Sequence, residues 1–149
     1  MTNSATTLYA EPKGIGGWLV LPMLGTIVSP LVALWGILQT IPLFEIELPP
    51  GLQAFVIAEI IFHFGLMVGW IVAAIWLFKH KRSFPSLFIT MLMVTFGGAL
   101  VDAAIGTSVF GTPLTAEDYR TLARGLVDLL IWVPYMAKSK RVRNTFVES

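Results

Sequence analysis

Residues 54–78 read AFVIAEIIFHFGLMVGWIVAAIWLF, and Lys79-His80-Lys81-Arg82 follows at once. At a helical rise of about 1.5 Å per residue, this run is longer than the roughly 30 Å hydrocarbon core of a bilayer. Only Glu59 and His63 interrupt it, and the basic block ends it where a membrane boundary would. The stretch predicts a transmembrane helix.

Three further stretches share its character. Ile15–Leu38 is apolar but carries Pro22 and Pro30, each of which removes a backbone donor and clashes with the preceding turn. A kinked first helix is expected, with Thr26 and Ser29 placed to bond freed carbonyls; a discontinuous helix at a binding site is the alternative. Phe84–Gly106 forms a third span and holds Asp102. Thr115 then precedes Ala116-Glu117-Asp118, a capping-box pattern that starts a fourth helix running to about Ala137.

Composition agrees with this reading. The 149 residues are 56% hydrophobic and 13% charged, against about 25% charged in soluble domains. The expected fold class is an all-α membrane protein: a four-transmembrane-helix bundle with spans near 15–38, 54–78, 84–106 and 116–137. A polar tail (1–14) precedes it and a basic tail (138–149) follows. The N-terminal segment lacks the basic region and cleavage site of a secretory signal and reads as a retained tail. In the 39–53 loop, Phe44-Glu45-Ile46-Glu47-Leu48 alternates apolar and acidic residues, which suits an extended piece on the membrane surface.

Eight of the ten lysines and arginines stand at Lys13, at Lys79, Lys81 and Arg82, and at Lys138, Lys140, Arg141 and Arg143. Four alternating spans put all eight on one face, so both termini are expected in the cytoplasm.

Five ionisable residues fall inside the spans: Glu59, His63, Asp102, Arg124 and Asp128. A charge at the bilayer centre costs roughly 2.5–3.5 kcal/mol on insertion scales, so such residues face a partner or water. Glu59 and His63 are four apart on one helix face, as are Arg120, Arg124 and Asp128. Three uses stay open. Arg124 pairs with Glu59 or Asp102, and Asp128 with His63, as structural links. The set relays ions or protons, since histidine titrates near neutrality. Or Arg124 helps bind an anionic substrate or partner. Two carboxylates and a histidine would suit a metal, but no ligand spacing such as His-Glu-x-x-His is present. Gly97-Gly98, with Gly65 and Gly69, offers surfaces for close helix contact.

The absence of cysteine removes disulfides and thiolate chemistry. No phosphate-cradling loop, Gly-x-Ser-x-Gly or zinc motif is present, so neither an enzyme nor a cofactor is expected. Topology accounts for most of the basic residues, so nucleic acid is not an expected partner. Lys138, Lys140, Arg141 and Arg143 follow directly on a span and are expected to attract anionic lipid or to dock a partner. Val142 and Phe146 are four apart and would reach the interface if the tail is helical.

Three segments together resemble a known family: Gly14-Ile15-Gly16-Gly17-Trp18-Leu19, Ser29-Pro30-Leu31, and Tyr135-Met136-Ala137-Lys138-Ser139-Lys140-Arg141-Val142-Arg143-Asn144-Thr145-Phe146. The chain is similar to the domain-of-unknown-function 2569 family of small bacterial inner-membrane proteins. That resemblance implies four helices in the bacterial cytoplasmic membrane and supplies no catalytic residues. The expected role is an accessory or assembly subunit of a larger membrane complex. A small transporter or ion-handling protein, self-associated or not, is the alternative, and a lipid-binding protein a weaker one.

Overall fold

The computed structural model describes residues 13–148; the expected tail over 1–12 lies outside the described residues. The helices are α1 (Val20–Thr40), α2 (Pro50–Phe78), α3 (Phe84–Ser108), α4 (Ala116–Lys138) and α5 (Lys140–Thr145). A 3-10 turn, Gly17–Leu19, leads into α1, and another, Ile41–Glu45, leads out.

Local chemistry sets the boundaries. Helix α2 begins at Pro50, ahead of the expected Ala54, because proline suits a first helical turn whose N–H would have no acceptor. It ends in a Schellman turn: the Lys81 N–H bonds the Trp76 carbonyl at 3.0 Å and the His80 N–H bonds Leu77 at 3.1 Å. His80 holds the left-handed position, φ 50°, that glycine usually takes there. The capping box at α4 forms as expected: Thr115 Oγ1 accepts from the Asp118 N–H, and Asp118 Oδ2 accepts from the Thr115 N–H at 2.7 Å.

Helix α1 runs unbroken through Pro30. Pro22 lies in its first turn, so of the two expected kink residues only Pro30 is interior. Thr26 Oγ1 donates to the Pro22 carbonyl at 2.7 Å and Ser29 Oγ to Gly25 at 2.8 Å. Those bonds run one turn back and leave the Thr26 carbonyl, the one Pro30 frees, to other means. The alternating Phe44–Leu48 segment is not a strand; it is 3-10 through Glu45 and extended only from Ile46. Here the two prolines of the loop shorten any run that could pair.

Helix α1 packs along α2 and α4 along α3, while α2 and α3 meet over a shorter seam. The helices therefore stand in the row α1-α2-α3-α4, more open than a closed bundle, and α1 and α4 do not pack along each other. Side chains seated on glycines set the close approaches. His63 lies over Gly36, Met91 over Gly69, Phe62 over Gly98 and Phe96 over Gly125, each where a Cβ would collide. Gly65 and Gly97, also expected at contacts, face open space.

The tightest core sits at one end. Leu19, Leu77, Phe84, Met136, Val142 and Phe146 are buried there. Gly14 N–H donates to Thr145 Oγ1 at 2.9 Å, and the Arg82 N–H donates to the Glu148 carbonyl at 2.8 Å. Both ends of the described chain thus share one end of the molecule with the α2–α3 turn. Val142 and Phe146 do not face a membrane interface: Phe146 stacks on Phe84 with ring centroids 4.6 Å apart, and α5 folds back as part of the core.

Along the sides the surface is apolar, with Leu31 64% and Ile61 66% exposed. Three segments, Gly17–Glu45, Pro50–Phe78 and Phe84–Ser108, are long and apolar enough to cross a membrane. An outer surface of that kind is stable against lipid and not against water.

Candidate functional site

The antiparallel α2–α3 pairing determines which polar residues meet. Phe62 against Gly98 and Gly69 against Met91 put residue i of α2 opposite residue 160 − i, about, of α3. By that register Glu59 faces Asp102. Both line a cleft of about 350 Å3 between the two helices, with Phe55, Ala58, Phe62, Gly98, Val101 and Ile105 as its apolar walls. Phe55 and Phe110, ring centroids 5.5 Å apart, stand at its far end.

His63 lies one turn along α2 from Glu59. Its Nδ1–H donates to the Glu59 backbone carbonyl at 2.9 Å. The bond fixes the ring over Gly36 of α1, with Nε2 turned toward that helix. Histidine 63 remains within electrostatic reach of both carboxylates; Glu59 also feels Asp102, while Asp102 feels Asp118 at the start of α4. Two carboxylates lining one largely apolar cleft are a donor set that attracts a cation. Among the described residues, no three His, Asp or Glu side chains converge as metal ligands would.

The other two ionisable residues stand apart. Asp128 is half-buried on the face of α4 that also carries Gly125, where Phe96 of α3 packs. Arg124 is exposed, on the outward face with Arg120, Val127 and Ile131. Among the described residues Arg124 makes no ion pair with Glu59 or Asp102, and Asp128 none with His63. The five residues expected as one cluster resolve into a group of three between α1, α2 and α3, and two separate positions on α4. Spacing on one helix reports a face; it does not report which neighbour that face meets.

The basic residues expected at lipid or a partner also divide. The guanidinium of Arg141 lies over the backbone of Gly16 and Gly17, with its Nη1 3.0 Å from where a Gly16 Cβ would be. Gly17 has φ 56°, a backbone that L side chains rarely adopt. Lys138, Lys140 and Arg143 are exposed. The two sequence segments at the ends of the chain, Gly14–Leu19 and Lys138–Phe146, thus fold against each other. The short α2–α3 turn was a usable signal for the Glu59–Asp102 opposition, since a hairpin centred near residue 80 sets the register. Nothing local marked Gly36 as the seat of His63.

A family model described as "Protein of unknown function (DUF2569)" matches residues 12–147. Comparison with curated proteins and with solved structures finds no match to either.

Proposed function

The chain belongs to the DUF2569 family of proteins of unknown function, and we propose from its geometry that it is an accessory subunit of a larger complex in the bacterial inner membrane, docked through the outer face of α4. One observation carries this reading. Arg124 and Arg120 are exposed on α4, the helix at the end of the row, and among the described residues neither makes an ion pair with a carboxylate of the chain. Phe96 on Gly125 and the burial of Met136 with Phe84 support α4 running beside α3 for most of its length. On the proposed reading α4 is a fourth crossing, and Arg124 then lies about 12 Å in from Ala116. An arginine at that depth facing lipid costs several kcal/mol, whereas one facing a carboxylate on a neighbouring helix does not. The partner is therefore a membrane helix of another subunit that offers an acidic group at matching depth.

The test is purification in mild detergent of wild type and Arg124→Leu, with a photocrosslinker at Val127. A stoichiometric unrelated membrane protein, crosslinked at Val127 and lost in Arg124→Leu, is expected. Rescue of Arg124→Glu by a basic residue in place of that partner's carboxylate completes the case. A homogeneous oligomer of this chain alone would overturn the subunit reading. A second reading, ion or proton handling, is favoured by the Glu59–Asp102 cleft with His63 beside it. Proton flux through liposomes of the purified chain, abolished by Glu59→Gln and Asp102→Asn, would establish it instead.

A further inference from the structure

The end of the molecule that holds its core also holds a second cleft, of about 530 Å3. Its floor is apolar, from Ile89 of α3, Met136 and Ala137 of α4, and Val142 of α5. Its rim carries Arg82, from the α2–α3 turn, and Arg143, from α5. Both arginines are exposed. We propose that this cleft binds the phosphate headgroup of an anionic glycerophospholipid, with Arg82 and Arg143 on the phosphate and an acyl chain along Ile89 and Met136.

Three features favour that ligand. The cleft has the size of a small-molecule site, about 300–1,000 Å3, and joins an apolar floor to a cationic rim, the same division a phospholipid carries. Planar guanidinium groups bind phosphate oxygens in pairs and shed water more readily than ammonium groups. Position is the third. Ile89 lies about 8 Å along α3 from its first residue, so the floor descends into the apolar zone while the arginines stay at its edge. Basic pockets between helices at that level suit anionic headgroups. The rim is also preset: Val142 and Phe146, buried in the core on either side of Arg143, hold its backbone in place. Lys13 and Lys79 are exposed but do not line the cleft, so they separate a built site from diffuse attraction.

The proposal rests on reading α3 and α4 as membrane crossings, and reporter fusions after Arg82, after Thr112 and at the C-terminus, expected on alternating sides, test that reading by themselves. The binding test is native mass spectrometry of the full chain in detergent with added phosphatidylglycerol or phosphatidylcholine. Wild type is expected to retain one phosphatidylglycerol in preference. Arg82→Gln with Arg143→Gln weakens that retention by about thirty-fold, the attraction of two basic residues near a lipid surface. Lys13→Gln with Lys79→Gln keeps the preference, and Ile89→Trp, which fills the floor, lowers occupancy of both lipids. Equal losses in the arginine and lysine pairs would overturn the site in favour of diffuse attraction. So would displacement of the lipid by millimolar inorganic phosphate, which would mark a site for the free anion, or the absence of any lipid preference in wild type.

Discussion

Single residues set how closely the helices approach. His63 occupies the space a side chain at Gly36 would need, with its Cδ2 2.5 Å from a Cβ there. Gly36→Leu is expected to destabilise the protein by about 1–3 kcal/mol, the usual cost of overpacking. Gly65→Ala, with nothing within 4 Å of its Cβ position, should leave stability unchanged or slightly higher. Thermal unfolding in detergent followed by circular dichroism compares the two; equal effects would show that the Gly36 contact is not specific. Asp118 gives a pH signature. It stands at the water-facing start of α4, outside the three apolar spans, and its hydrogen bonds from the Thr115 hydroxyl and N–H hold its pKa below the ordinary 3.8. A depressed carboxylate pKa adds stability that is complete above the unfolded value and is lost as pH falls through the folded one. The unfolding midpoint should therefore drop below about pH 4 by a small amount that Asp118→Asn removes.

At the scale of elements, α5 is the unexpected part. The basic run after the last span reads as a tail that meets anionic lipid or a partner, with Val142 and Phe146 at the interface if helical. It is a helix, capped by Ser139, whose Oγ accepts from the Val142 N–H at 3.4 Å, but it packs into the core. The amphipathic pair Val142 and Phe146 was legible. Its destination was not, because burying that pair against Phe84 and His80 requires the α2–α3 turn to stand at the same end. Phe146→Ala should cost about 3–5 kcal/mol, as large aromatic truncations in a core do, while Val147→Ala, 54% exposed, should be near neutral. Chemical denaturation of the two variants checks this. A Phe146→Ala protein as stable as wild type would return α5 to the role of a loose tail.

For the whole molecule, the row of helices has two consequences. Edge helices α1 and α4 each leave a long face uncovered, and only that of α4 carries arginines. Both ends of the described chain lie at one end, three helices are long and apolar enough to cross a membrane, and the proposed reading adds α4 as a fourth crossing. Reporter fusions after Leu48 and after Thr112 should fall on one side of the membrane, opposite a fusion at the C-terminus. A Leu48 fusion on the C-terminal side would remove the topology.

The amino-acid sequence alone determined helix content, the three apolar helices long enough to cross a membrane, the capped start of α4, the basic end and the family. All of these follow from local signals: apolar run length, hydrogen-bonding caps, and the cost of moving charge through lipid. Only the tertiary structure decided which polar faces meet. Glu59 faces Asp102 because a Schellman turn at His80 sets the α2–α3 register. Arg124 faces outward because Phe96 needs Gly125 on the inward side of α4. Rotation and register of a helix depend on volumes contributed by its neighbours, and in an apolar sequence those neighbours are chosen by side-chain fit, which no single stretch of the chain encodes.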